Sequence, residues 1–321
     1  MMHKMNDECQ NNTSRVPEFL LRGFQVLPEL KPFLFLVFLV IYMVTVLGNI
    51  LIGVTVSHDN RLHSPMYFFL GHLSFLEIWY MTSTVPTMLS GLLSDGCTVS
   101  HAACLTQFYF LAFFATTECL LLTAMSCDRY TAICYPLHYS TLMDAPRCIQ
   151  LVSSAWVTGF VIASITNYLV GTLEFSDHNE IDHFFCDFEP IVKAACSDTS
   201  LAETTTFVFS FVVSSVPFML IIVSYVYIIS AILRIPSSTG RQRAFSTCSS
   251  HLAVVIMYFG TLIALYVAPS KAQSVNLNKA LSLLYTVATP LFNPIIYTLR
   301  NKEIRQAFQN LIRKMLTSKI I

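Results

Sequence analysis

The chain has 321 residues, of which 54% are hydrophobic and only 12% charged, and its formal net charge is zero. A soluble domain carries about 25% charged residues, so an ordinary globular enzyme is a poor description, and the neutral balance excludes a general nucleic-acid binder. The length suffices for about seven membrane crossings joined by short connections.

In chain order, Met1–Pro28 is polar and lacks the basic-then-apolar layout of a cleaved signal peptide, so the first hydrophobic run is expected to act as its own insertion signal. Seven apolar spans follow, at about 32–57, 65–89, 101–135, 147–171, 201–235, 242–268 and 277–299. Pro217, Pro290 and Pro294 lie inside spans five and seven, where a bilayer tolerates them as kinks once neighbours satisfy the freed carbonyls. The expected organisation is an N-terminal segment (1–31), one all-α seven-helix membrane bundle (32–299) and a tail (300–321). In that tail Ile304, Ala307, Phe308, Leu311, Ile312, Met315 and Leu316 recur at steps of three and four among Lys302, Arg305, Arg313 and Lys314. This predicts a short basic amphipathic helix lying on the membrane surface, with lipid as its partner.

With the N-terminus outside, the outer loops carry seven Lys and Arg and the inner ones twelve, so the positive-inside rule places the N-terminus outside. Asn11-Asn12-Thr13-Ser14 holds two overlapping glycosylation sequons on that outer side, at Asn11 and Asn12. Cys104 opens span three and Cys186 lies in the longest outer loop, so a bridge between them would persist in an oxidising compartment. Cys97 and Cys196 are also outside and could form a second bridge, or Cys196 could pair with Cys104 instead.

Span three ends on Asp128-Arg129-Tyr130, a local ion pair that could hold a closed state until Arg129 is freed for a partner. Glu118 lies about 15 Å inside that end, at nearly the depth of Glu77 in span two. Asn49 in span one and Asn293 in span seven fall close to the same level, so four polar residues are expected to form one buried layer. Two carboxylates at that depth are expensive and point to a bound proton or a small cation such as sodium.

Several blocks run in order along nearly the whole chain: Gly48-Asn49, LHSPMYFFLGHLSFLE (62–77), MSCDRYTAICYPLHY (125–139), Ser224-Tyr225, RAFSTCSSHL (243–252) and PLFNPIIYTLRN (290–301). With them the chain resembles the rhodopsin-like G-protein-coupled receptors, and within that class the olfactory receptors. It departs in carrying Glu77 where the family usually has Asp, and MSCDRY in place of MAYDRY. The family's earlier outer-loop cysteine stands as Ser176, which leaves Cys196 free or paired with Cys97.

The resemblance implies an odorant receptor in the plasma membrane that binds a small, mostly apolar volatile molecule from outside. It implies a heterotrimeric G protein of the stimulatory olfactory type inside, raising cAMP, with no cofactor and no enzymatic activity. The ligand site it implies would involve Leu111, Ala112, Ala115, Thr116 and Cys119 on span three, and Val208, Phe211 and Val212 on span five. Tyr258, Thr261 and Leu265 on span six and Leu283 and Thr286 on span seven complete it. The implied coupling residues are Asp128, Arg129, Tyr130, Tyr225, Asn293, Pro294 and Tyr297. Two alternatives stand beside this reading: a receptor of the same fold for a metabolite outside the nose, and a small transporter or proton channel using Glu77 and Glu118.

Overall fold

The computed structural model describes residues 18–24, 26–59, 62–94, 96–175, 180–267, 275–300 and 304–310. The sequons at Asn11 and Asn12 lie outside these residues. The long helices are α1 (Lys31–His58), α2 (Pro65–Leu93), α3 (His101–Cys134), α4 (Ala145–Gly171), α5 (Ser200–Leu233) and α6 (Ser238–Val267). The last, α7, comes in three pieces: Val275–Leu283, a π-helical turn Leu284–Ala288, and Thr289–Arg300. Among the described residues, the helices at Pro28–His58, His101–Cys134, Ala145–Gly171 and Ser200–Leu233 are apolar and long enough to cross a membrane on length and composition.

Side-chain caps set several helix starts. Ser100 Oγ accepts from Ala103 N (3.2 Å) before α3, and Asp144 Oδ1 accepts from Arg147 N (3.0 Å) before α4. Ser237 Oγ accepts from Gly240 N (3.2 Å), which is why α6 begins at Ser238 rather than at the expected Gln242. Pro86 does not end α2, which continues past the expected Leu89 to Leu93. Residues 304–310 are helical, with Ile304 and Ala307 buried and Arg305 and Gln306 exposed, so the amphipathic pattern is present in the described part of the tail.

The chain divides into two compact units, the first comprising Met1–Tyr42, Tyr80–Thr116 and Val157–Val212. Its distinguishing feature is a sheet of order β2-β1-β3, built from β1 (Glu18–Leu21), β2 (Cys97–Ser100) and β3 (Glu180–Ile181). Strand β1 pairs antiparallel with β2, Phe19 opposite Val99, and parallel with β3, Leu21 opposite Ile181. With a side-chain period of two, Phe19 and Leu21 point inward together and are buried, packing with Cys104, Phe175, Ile181 and Cys186. The turn into β2 requires Gly96, whose φ is +127° and whose added Cβ would meet the Leu21 carbonyl oxygen at 3.0 Å. The Arg22 guanidinium grips Glu180 at 2.6 Å at the strand's end. None of this sheet was expected from the polar look of the N-terminal segment.

The disulfide in this unit is Cys104–Cys186. Gln107, one turn further along α3, accepts from Cys186 N (2.8 Å) and donates to Ser83 O (2.7 Å) and Thr87 Oγ1 (3.0 Å), fixing the loop to α3 and α2. The proposed Cys97–Cys196 bridge is not formed: Cys97 is a free thiol. Cys196 is itself disulfide-bonded.

The second unit comprises Met43–Trp79, Thr117–Trp156 and Val213–Ile321. Here α1 and α7 approach closely at Gly48, where an added Cβ would stand 3.1 Å from Pro294 Cβ. A side chain at Gly48 would push the helices apart.

Candidate functional site

Within the second unit, the end of α3 forms a closed cluster. Arg129 donates to Asp128 Oδ2 through Nε (3.0 Å) and Nη2 (2.5 Å), while the Tyr139 phenol donates to Asp128 Oδ1 (2.6 Å). Asp128 is fully covered. Tyr139 begins the short helix Tyr139–Leu142 between α3 and α4. Burial, then the bond to Asp128, pushes its phenol above the ordinary tyrosine value, so it keeps its proton and remains a donor at physiological pH. Tyr130 lies outside this cluster: its hydroxyl reaches that of Tyr135 at 3.5 Å and its ring lies 6.0 Å from Tyr227.

Two further contacts tie α5 to its neighbours. Ser126 Oγ and Ser224 Oγ meet at 2.5 Å between α3 and α5. Tyr225 Oη hydrogen-bonds His251 Nδ1 (2.7 Å) and donates to Cys248 O (3.2 Å), joining α5 to α6. Tyr225 was singled out from the sequence, whereas Tyr139, His251, Ser126 and Ser224 were not assigned roles. All four stand within the quoted motif blocks, but their pairing depends on how the helices face one another.

The expected polar layer is assembled only in part. Asn293 Nδ2 donates to Glu77 Oε1, and the Glu77 and Glu118 carboxyls are near enough to interact electrostatically. Asn49 is buried, but its amide donates to Thr45 O of its own helix (3.0 Å) rather than to the other three. Among the described residues, Asn49 Oδ1 and Asn293 Oδ1 have no hydrogen-bond partner, and the Glu118 carboxyl has the Glu77 carboxyl as its neighbour. Buried orphan oxygens of this kind fit a proton or a hard cation such as sodium, which takes oxygen donors.

The expected ligand residues fall into three groups. In the first unit Leu111 and Thr116 are buried and Ala112 and Ala115 half-buried. In the second, Cys119, Tyr258, Thr261 and Thr286 are buried, and the Cys119 thiol donates to Tyr258 Oη across 3.6 Å. Leu283 is half-buried beside them in sequence, and the side chains of Leu265 and Tyr297 lie outside the described residues.

The third group requires a correction. Val208, Phe211 and Val212 are 48%, 60% and 50% exposed and face away from the helix packing. The covered face of α5 runs instead through Ala202, Thr206, Phe209, Val213 and Pro217. One residue along a helix turns the side chain by about 100°, which is enough to carry it off the covered face.

A family profile described as "Olfactory receptor" matches residues 38–319. The chain belongs to the olfactory receptor family. It is 48% identical to human olfactory receptor 11L1 over 94% of both chains. It is 50% identical to human olfactory receptor 11A1, over 92% of this chain and 94% of the other. Mouse olfactory receptor 6B9 is 45% identical over 94% of this chain and 95% of its own. Membership makes the protein a seven-helix odorant receptor of the G-protein-coupled class, with a small-molecule ligand and a G-protein partner, and not an enzyme. The transporter and metabolite-receptor alternatives are not favoured.

Proposed function

We propose that the receptor lies in the plasma membrane with its N-terminus outside, and binds a small, largely apolar volatile molecule from that side. It then activates a stimulatory olfactory-type G protein and raises cAMP. The observation carrying this reading is the Asp128-Arg129-Tyr139 cluster, which holds a guanidinium against its neighbouring carboxylate and a loop phenol. Such a restrained cation is a two-state element: ligand binding that favours the released arrangement presents Arg129 to the partner. The orientation is supported by the loop charges and by a Cys104–Cys186 bridge that persists only in an oxidising compartment.

The odorant contacts we assign in the second unit are Cys119, Tyr258, Thr261 and Thr286, apolar bodies with a few hydroxyls and a thiol. Glu77, Glu118 and Asn293 hold a proton or sodium ion and bias the balance between states. The amphipathic helix at residues 304–310 lies on the inner leaflet, and Asn11 or Asn12 carries a glycan.

The test uses the full chain purified into liposomes with an added stimulatory G protein. Odorant-dependent nucleotide exchange supports the reading. Proton flux without exchange would overturn it.

A further inference from the structure

The spacing Arg-x-x-Ser occurs three times along the chain, ending at Ser64, Ser237 and Ser246. A kinase of the arginine-directed class grips a guanidinium three residues before the serine it modifies, and needs both side chains accessible on backbone that is not wound into a helix. Ser246 stands inside α6. Ser64 is half-buried, and its carbonyl closes the first turn of α2 by accepting from Tyr67 N (3.0 Å) and Phe68 N (3.1 Å). Ser237 differs from both. It and Arg234 are exposed, and they lie between Leu233, the last residue of α5, and Ser238, the first of α6. Pro236 has no N–H to continue a helix, so residues 235–237 stay irregular. Ser237 Oγ accepts from Gly240 N (3.2 Å), which uses a lone pair rather than the hydroxyl proton.

We propose that Ser237 is a phosphorylation site for an arginine-directed serine kinase, with Arg234 as the cation the kinase recognises. The inference rests on the proposed orientation with the N-terminus outside, which puts the α5–α6 loop on the cytoplasmic side with the nucleoside triphosphate. Ser237 Oγ attacks the γ-phosphorus of the triphosphate, and the Oγ–P bond forms as the bond from that phosphorus to the bridging oxygen breaks. The nucleoside diphosphate leaves, and the hydroxyl proton passes to a carboxylate of the kinase. The product carries about −1.5 to −2 charge at pH 7, at the head of a helix whose partial charge there is positive. Its oxygens take over the bond from Gly240 N. They also join the turn in which Arg241, itself exposed, donates its backbone N–H to Ser237 O (2.9 Å). The modification therefore tightens the first turn of α6 and roughly cancels the charges of Arg234 and Arg241 in one loop.

The test uses the full chain purified in detergent and incubated with ATP and the catalytic subunit of cyclic-AMP-dependent protein kinase, an enzyme of this preference. Trypsin releases residues 235–241, IPSSTGR, and fragmentation of that peptide locates the phosphate. The expected result is phosphate on Ser237, none in this peptide for Ser237→Ala, and labelling of Ser237 slowed about tenfold or more in Arg234→Gln. Amide hydrogen exchange across residues 238–241 should be slower in the labelled receptor than in the unlabelled one. Phosphate on Ser238 or Thr239 instead, equal rates for Arg234→Gln and the parent, no labelling of the solubilised parent, or unchanged hydrogen exchange after full labelling would each overturn the assignment. Failure of the orientation reading is separate, and shows as labelling of intact cells by kinase and ATP added outside, without permeabilisation.

Discussion

The Tyr139 phenol donates a 2.6 Å hydrogen bond to Asp128 Oδ1, on the opposite carboxylate oxygen from the one Arg129 holds. Asp128 therefore restrains two elements at once, the guanidinium of α3 and the short helix after it. Removing the phenol oxygen in Tyr139→Phe should weaken the closed arrangement by about 1–3 kcal/mol and raise basal cAMP several-fold at equal surface expression. A basal level identical to the parent would show that the phenol restrains nothing.

Arg129→Ala should abolish odorant-evoked cAMP while the protein still reaches the surface, because the cation offered to the partner is gone. An undiminished response measured in the same cells would remove Arg129 from the coupling role.

The 2.5 Å contact between Ser126 and Ser224 arises where this chain departs from the family's usual MAYDRY block. Both hydroxyls are buried, so the pair contributes about 1 kcal/mol to whichever state contains it. Ser126→Ala and Ser224→Ala should each lower the thermal midpoint of the purified receptor slightly, and the double variant should lose less than the two losses added together. Strict additivity would mean that the hydroxyls do not interact.

Gln107 supplies the acceptor for the buried Cys186 N–H. Gln107→Leu leaves that donor unsatisfied and should cost about 1–3 kcal/mol, read as a lower thermal midpoint and reduced surface expression. The disulfide closes a separation of 82 residues, so Cys104→Ser should cost more, about 4 kcal/mol on the chain-entropy account. Equal midpoints for Gln107→Leu and the parent would deny the glutamine its anchoring part.

Glu77 and Glu118 are the two acidic side chains of the polar layer, both fully covered. Glu118→Gln removes one charge while keeping the shape, and should reduce the dependence of basal cAMP on external sodium and on pH. If Glu118→Gln and Glu77→Gln both leave that dependence unchanged, the layer is packing between helices and holds no ion or exchangeable proton.

Much of this protein was legible before any coordinates. A membrane-crossing helix satisfies its backbone within itself, so an apolar run of sufficient length identifies it without knowledge of its neighbours. The Asp128-Arg129 pair is local for the same reason: its partners are adjacent in the chain. Burial of Glu77, Glu118 and Asn293 also followed from depth along a single helix.

Whatever required two distant segments to meet was not legible. Strand β1 is four residues long, and its partners lie beyond two long helices and beyond four, so nothing local marks it as a strand. Asn49 stood at the right depth yet bonds within its own helix. Val208, Phe211 and Val212 stood on the right helix yet face outward, because the rotation of α5 is set by the neighbours it packs against. The Asp128-Arg129 stretch shows the division most plainly. An ion pair at the end of α3 was written in adjacent letters, whereas the phenol that completes it comes from a loop eleven residues on, placed there by the turn of the chain.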